Sequence, residues 1–567
     1  MSAVTLNAAR PPARPVERGE ARLLGGGLAA VAVLLLVFVV LPLGTLFLRS
    51  LYDRNDAFVG LANFAAFLNT PSLLTSVANS VTVALISTAI TVTLAFAYAF
   101  AITRTRMPGK ALFKLLAQIP ILAPSLLPAI ALVYLFGNKG FLRDLLMGHS
   151  IYGPIGIVMG EVFYTFPHAV MILTVALSGA DARLYEAAEA LGARPWRRFL
   201  TITLPGARYG LISALFVVFT LVVTDFGVPK VIGGSYNVLA TDVYKQVVGQ
   251  QNFGVGAVVG MVLLVPAVLA FAADWIGQRR QMALLSARSV PYRPRRRPLG
   301  DGLALAFCGL VAAVLAGMLG MAAFASLVTL WPYNLTLTLA NYDFAAFDSA
   351  GWASYANSIR MAAWTAAAGT VLVFTGAWLV ERSPAAPVLA GVVRLMAIVP
   401  LAVPGMVLGL AYIFFFNAPW NPLGGLYHGM AILVLSTVVH FYTVGHLTAA
   451  TALKQLDREF EAVSASLKVP VWTTFWRVTV PLCLPAILDI AIYLFVNAMT
   501  TVSAVVFLYS PDTKPASVAV LNMDDAGEVA GAAAMAMMIV YTSAGVRVLH
   551  AVLSWALQRR TQAWRAR

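Results

Sequence analysis

Ionisable side chains are scarce in this chain, and they concentrate in one short polar run. Residues Glu186 to Pro205 read EAAEALGARPWRRFLTITLP, and Leu184, Ala187, Ala188 and Leu191 share one helical face. Glu186, Glu189, Arg194, Arg197 and Arg198 frame that face. Gly192 breaks the helix and permits close approach of another backbone, while Trp196, Phe199 and Ile202 extend the apolar face to Leu204-Pro205. Such a segment makes and breaks no bonds; it suits insertion into a groove on a soluble partner, the alternative being an amphipathic loop lying on a membrane surface. Groups suited to a small solute lie elsewhere. Glu161, His168, Asp225, His440 and His446 fall in apolar stretches, where an ionisable group is costly and usually faces protein or water. Asp225 suits a positive group and Lys230 an anionic one, unless Asp225 only bonds local backbone or pairs with Lys230. Glu161 and the three histidines read more as buried hydrogen-bonders than as ligands, and Asp489 as a partner of Arg477. No catalytic constellation is visible, and Cys308 and Cys483, in or beside apolar runs and far apart in sequence, form neither a disulfide framework nor a metal spacing.

The elements that must position these groups are membrane helices. With 567 residues, 60% hydrophobic and 11% charged, the chain reads as an all-α polytopic membrane protein. Twelve apolar runs, near 25–48, 75–103, 115–136, 153–178, 209–229, 252–276, 303–328, 356–380, 393–416, 427–453, 485–509 and 528–556, are long enough to cross the bilayer. The runs are continuous rather than alternating, so strands are not expected. The first run is too long for a cleaved signal. The net charge of +15 reads as topology: thirty of the 39 Lys and Arg residues fall in one set of alternate loops and seven in the other. By the positive-inside rule, both termini are expected in the cytoplasm.

The chain also repeats itself. Ala78-Asn79-Ser80 recurs as Ala356-Asn357-Ser358, Arg104 as Arg382, and Pro120 and Pro124 as Pro400 and Pro404. Trp196, Phe199, Thr203 and Pro205 recur as Trp472, Phe475, Thr479 and Pro481, so the offset stays between 276 and 280. The expected organisation is two parallel six-helix repeats with a pathway between them. A tail over 1–22 precedes the first repeat, 23–277, whose polar loop covers 181–205. A basic linker over 278–300 leads to the second repeat, 301–558, with its loop at 457–481, and a tail over 559–567. Pro120, Pro124, Pro128, Pro400 and Pro404 should kink the third helix of each repeat. Thr501 stands at the second-repeat position of Asp225.

Glu186-Ala187-Ala188, Gly192, Ile202, Leu204 and Pro205 match at every position the coupling motif of binding-protein-dependent ABC importer permeases, and the chain resembles that family over nearly its whole length. In the second copy Ala462-Val463-Ser464 replaces the first three residues and Lys468 the glycine; Glu461 offers an acidic group nearby, and Trp472 and Pro481 remain. The resemblance implies a type I permease fold in a bacterial inner membrane, two loops docking unequally on a separate cytoplasmic ATPase dimer, and a periplasmic solute-binding protein as the other partner. No GxxxxGK[ST] phosphate loop occurs, so the chain is expected to bind no cofactor itself and to leave ATP hydrolysis to its partner. The six-plus-six layout is similar to ferric-iron, thiamine and phosphonate permeases. Thr224 to Ala257 and Leu456 to Pro470 look most like putative 2-aminoethylphosphonate permeases, which implies that cargo. Glu161, His168, Asp225, Lys230 and Thr501 are the candidate pathway residues. An ion-coupled secondary transporter would also explain the span count and the repeat.

Overall fold

The computed structural model describes residues 18–53, 55–282, 290, 292–382, 386–457 and 459–561. The start of the expected N-terminal tail, residues 283–289 of the linker and the last six residues lie outside them. Among the described residues, eight helices are long and apolar enough to span a membrane, and the number rises to twelve when each of four bent pairs is taken as one span. The first six are α1 (Gly19–Arg49), α2 (Pro71–Arg104), α3 (Lys110–Leu122 and Leu126–Phe136), α4 (Pro154–Ser178), α5 (Pro195–Thr224) and α6 (Phe253–Ala273). The second six are α7 (Pro298–Leu327), α8 (Trp352–Arg382), α9 (Pro387–Ala402 and Gly405–Phe416), α10 (Met430–His440 and Tyr442–Gln455), α11 (Val471–Leu482 and Leu484–Thr500) and α12 (Val529–Leu557).

The kinks expected at the prolines are present and large. α3 bends by 99° and α9 by 113°. Pro120 and Pro400 each sit in a single 3₁₀ turn, and Pro124 and Pro404 follow at the bend, where a missing N–H cannot continue the ladder. α10 bends by 55° and α11 by 73°.

Three expectations need correction. α5 ends at Thr224 and α11 at Thr500, short of the 229 and 509 read from hydropathy. At those ends Asp225 and Thr501 take the same extended backbone, with ψ of 137° and 134°. The chain then folds back through short packed helices, Gly227–Ile232 and Leu239–Tyr244 in the first repeat and Ala516–Asp525 in the second. Hydropathy alone cannot separate a spanning run from a span followed by a buried re-entrant segment. Strands do occur: β1 (Val328–Leu330) and β2 (Asn334–Leu337) form a small antiparallel hairpin after α7.

Each repeat builds a core from its second, fourth and fifth spans, and its first span crosses to the other repeat. α1 packs on α8 and α9; Tyr412 donates its hydroxyl to the Phe38 carbonyl at 2.8 Å. α7 packs on α2 and α3, and Asp301 at its start accepts the Arg106 N–H at 2.8 Å. The two repeats therefore bury their apolar faces in each other rather than touching along one seam.

The repeated Asn-Ser pairs hold the re-entrant segments. Asn79 donates to the Asn237 carbonyl at 2.9 Å, and Ser80 accepts the Leu239 N–H at 2.8 Å. Asn357 donates to the Asp512 carbonyl at 2.8 Å, and Ser358 accepts the Ala516 N–H at 2.8 Å. Such bonds satisfy backbone groups that a broken helix leaves open.

Candidate functional site

The first polar loop is a helix, Ala182–Ala190, followed by a sharp turn into α5. Asp181 caps it, accepting the Arg183 N–H at 3.1 Å. Tyr185 faces inward, its hydroxyl 2.9 Å from that of Thr203, and its ring packs on Tyr292 with centroids 4.6 Å apart. The opposite face is free: Leu184 is 57% exposed and Leu191 87%, with Glu186 and Ala187 exposed between them and Ala188 half-buried. Gly192 ends the helix at φ +69°, and no atom lies within 4 Å of where a Cβ would stand. The left-handed backbone by itself favours glycine there, and the open space beside it leaves room for another backbone to approach. Trp196 stacks on Phe199, which wedges against Phe96 and Phe100 of α2. Ile202 is half-buried, while Leu204 and Pro205 remain exposed.

The second loop forms the same shape with different residues. Its helix is Glu459–Ser466, and Asp457, the counterpart of Asp181, accepts the Glu459 N–H at 3.0 Å. Phe460, Val463 and Leu467 stand where the first loop has Leu184, Ala187 and Leu191, and are 49%, 56% and 69% exposed. Lys468 takes the glycine position at φ +54°. Trp472 and Phe475 pack on Trp378 of α8 with centroids 5.4 and 4.4 Å away. Pro481 continues into α11, and Glu461 lies in the helix with its side chain outside the described residues. The apolar stripe at positions 460, 463 and 467 is a feature that comparing motif letters misses; helical spacing in the second copy was the signal for it.

Neighbouring chain braces the two loops differently. Val290 donates its N–H to Asp181 at 3.3 Å, and Arg295 of the linker pairs with Glu189 at 2.7 Å. The second loop instead receives Glu20 at the start of α1, whose carboxylate accepts the Val471 N–H at 3.1 Å. Both loops, the linker and the start of α1 thus lie at one end of the bundle.

The candidate pathway groups gather where α3 bends and α5 breaks. Asp225 accepts the Val228 N–H at 2.8 Å, the local-backbone role left open by the sequence, and the Ser125 hydroxyl of the α3 bend lies beside it. Glu161 in α4 is fully buried, and its carboxyl lies within hydrogen-bonding reach of that of Asp225 and meets no other donor. Tyr164 and His168 follow on the same face of α4 and are half-buried. Lys230 pairs with Asp525 of the second repeat at 2.7 Å rather than with Asp225. Asp489 pairs with His550 at 3.1 Å, not Arg477.

In the second repeat Thr437 and Thr501 replace Glu161 and Asp225, and both are buried. Thr437 donates to the Leu433 carbonyl at 2.7 Å, and the Thr501 carbonyl accepts from Ser517 at 2.6 Å. The junction itself is repeated. A Cβ on Gly227 would stand 2.1 Å from Ser125 Oγ, and one on Gly405 would stand 2.4 Å from Ser503 Oγ. Ser125 corresponds to Gly405 and Gly227 to Ser503, so one serine fits each junction and the repeats place it on opposite strands of the contact.

The family described as binding-protein-dependent transport system inner membrane component matches this chain twice, over residues 92–281 and 375–559. The chain belongs to that family. It is therefore a multi-pass permease subunit of the ABC importer type, made of two fused family repeats. This permease is similar to the ferric transport system permease protein FbpB of Actinobacillus pleuropneumoniae, 29% identical over 91% of this chain and 76% of that one. It is also similar to the sulfate transport system permease protein CysW of Escherichia coli strain K12, 27% identical over 40% of this chain and 75% of that one. A chain of a bacterial alginate ABC transporter, solved in complex with an alginate-bound periplasmic protein, aligns with a TM-score of 0.40 and 15% identity, covering 46% of this permease and 96% of that chain.

Proposed function

We propose that this permease passes a small periplasmic solute inward by alternating access, driven by two subunits of a separate ATPase that grip its two coupling loops. The observation that carries this reading is the paired apolar stripe, Leu184/Ala187/Leu191 and Phe460/Val463/Leu467, exposed at one end of the bundle. A groove on each ATPase subunit would cover a stripe, and closure of the ATPase dimer would move both loops together. Glu186, Ala188, Gly192, Ile202, Leu204 and Pro205 shape the first contact, and Glu461, Trp472 and Pro481 the second. That end, with both termini, faces the cytoplasm; a loaded binding protein docks at the other. ATP is hydrolysed by the partner, and the permease holds no cofactor of its own.

The cargo of this reading is 2-aminoethylphosphonate, supported by the resemblance of Thr224 to Ala257 and Leu456 to Pro470. Ferric iron is the second reading, favoured by the ferric permease that aligns along 91% of the chain. The test is uptake into vesicles containing the purified permease, with and without its ATPase, supplied with a loaded binding protein. ATP-dependent uptake of one cargo supports the reading. Uptake by the permease alone, driven by an ion gradient, overturns it.

A further inference from the structure

Glu161 and Asp225 form a pair of facing carboxyls at the junction of α3, α4 and α5. Glu161 is fully buried with no backbone, hydroxyl or amine donor, and its carboxyl reaches only that of Asp225, so the two hold together only while a proton or a cation lies between them. Among the described residues no lysine or arginine pairs with either carboxyl, and the nearest lysine in sequence, Lys230, is held by Asp525. Asp225, Tyr164 and His168 are half-buried, whereas Glu161 is closed off. His168 and His440 each have a buried Nδ1 without a partner, and Tyr493 of the second repeat lies within electrostatic range of Tyr164. The second repeat is neutral here, since Thr437 and Thr501 stand at the corresponding positions.

Resting on the permease reading, we propose that Glu161 and Asp225 form a one-sided cation site in the translocation pathway that takes the positive group of the cargo. A primary ammonium and a hard metal cation share the required chemistry, because both are held by carboxylate oxygens. A cation between the two carboxyls takes the place of the proton that they otherwise share. The site disfavours a cargo that is purely anionic, so the carboxyls set the pathway's charge preference.

The test uses the full chain in lipid nanodiscs with its ATPase partner, and terbium(III) as a hard trivalent probe whose luminescence is excited through nearby tyrosines. The wild type is expected to give a saturable signal. E161Q and D225N are measured singly and together; Asn at 225 still offers an acceptor to the Val228 N–H, and complex yield with the ATPase reports folding. The double variant should bind terbium at least about tenfold more weakly. Displacement by 2-aminoethylphosphonate but not ethylphosphonate assigns the ammonium; displacement by gallium(III) alone assigns the metal. Terbium binding by the double variant equal to wild type, no binding by wild type, or displacement by none of these competitors overturns the proposal. Loss of ATP-dependent uptake with terbium binding intact would instead count against the permease reading.

Discussion

The two coupling loops differ in almost every motif letter and agree in almost every physical feature. Asp181 and Asp457 cap their helices, exposed apolar side chains follow at the same three positions, and a left-handed residue ends each turn. Phe199, with Trp196 stacked on it, wedges against α2 much as Phe475 and Trp472 pack on Trp378 of α8. What differs is polarity and bracing. The first loop carries Glu186 and Glu189 and is held by the linker through Arg295, whereas the second carries its acids earlier in its helix, at Glu459 and Glu461, has Thr473 and Thr474 in place of Arg197 and Arg198, and is touched by Glu20. Docking in this account depends on shape and apolar contact, which both loops have. Polar trim makes the two contacts unequal.

The most severe way to break the comparison is to charge each stripe. L184E/L191E and F460E/L467E should each abolish co-purification with the ATPase, since a buried unpaired carboxylate costs several kcal/mol. Loss from only one double variant would show that a single loop carries docking. G192W should likewise lose the ATPase while leaving membrane insertion intact: it adds bulk to the docking surface at a left-handed position, and normal complex yield would contradict that.

Away from the loops, the repeats differ in a buried ion pair. Lys514 and Asp348 of the second repeat meet at 2.6 Å with little exposure, and Asp348 also accepts from Ser354. K514M should destabilise the permease by about 3–5 kcal/mol, read as a lowered thermal midpoint in detergent. K230M removes the half-exposed pair with Asp525 and should cost about 1 kcal/mol or less. The smallest effect sharpens the loop comparison: K468G relieves a left-handed lysine and should stabilise the second loop by about 1 kcal/mol, measured by local hydrogen exchange. No change would mean that the turn relaxes without a glycine.

The twelve spans and their repeat were legible because apolar runs and recurrent prolines survive in the letters. The breaks at Asp225 and Thr501 were not, since the residues beyond them are as apolar as the spans and pack inside the bundle as re-entrant helices. Glu161 stood out as an acid in an apolar span, yet its meeting with Asp225 depends on how α4 packs against the α3 bend, which no spacing encodes. The second coupling loop looked eroded because its identities changed. Phe460, Val463 and Leu467 preserve the stripe by character instead.

The central claim is that both loops transmit ATPase motion to one pathway. The direct measurement is ATP-driven cargo uptake in vesicles containing wild type, L184E/L191E or F460E/L467E permease with its ATPase. The account predicts ATP-dependent uptake by wild type and its loss in both variants. Uptake that persists when either stripe is charged would contradict it.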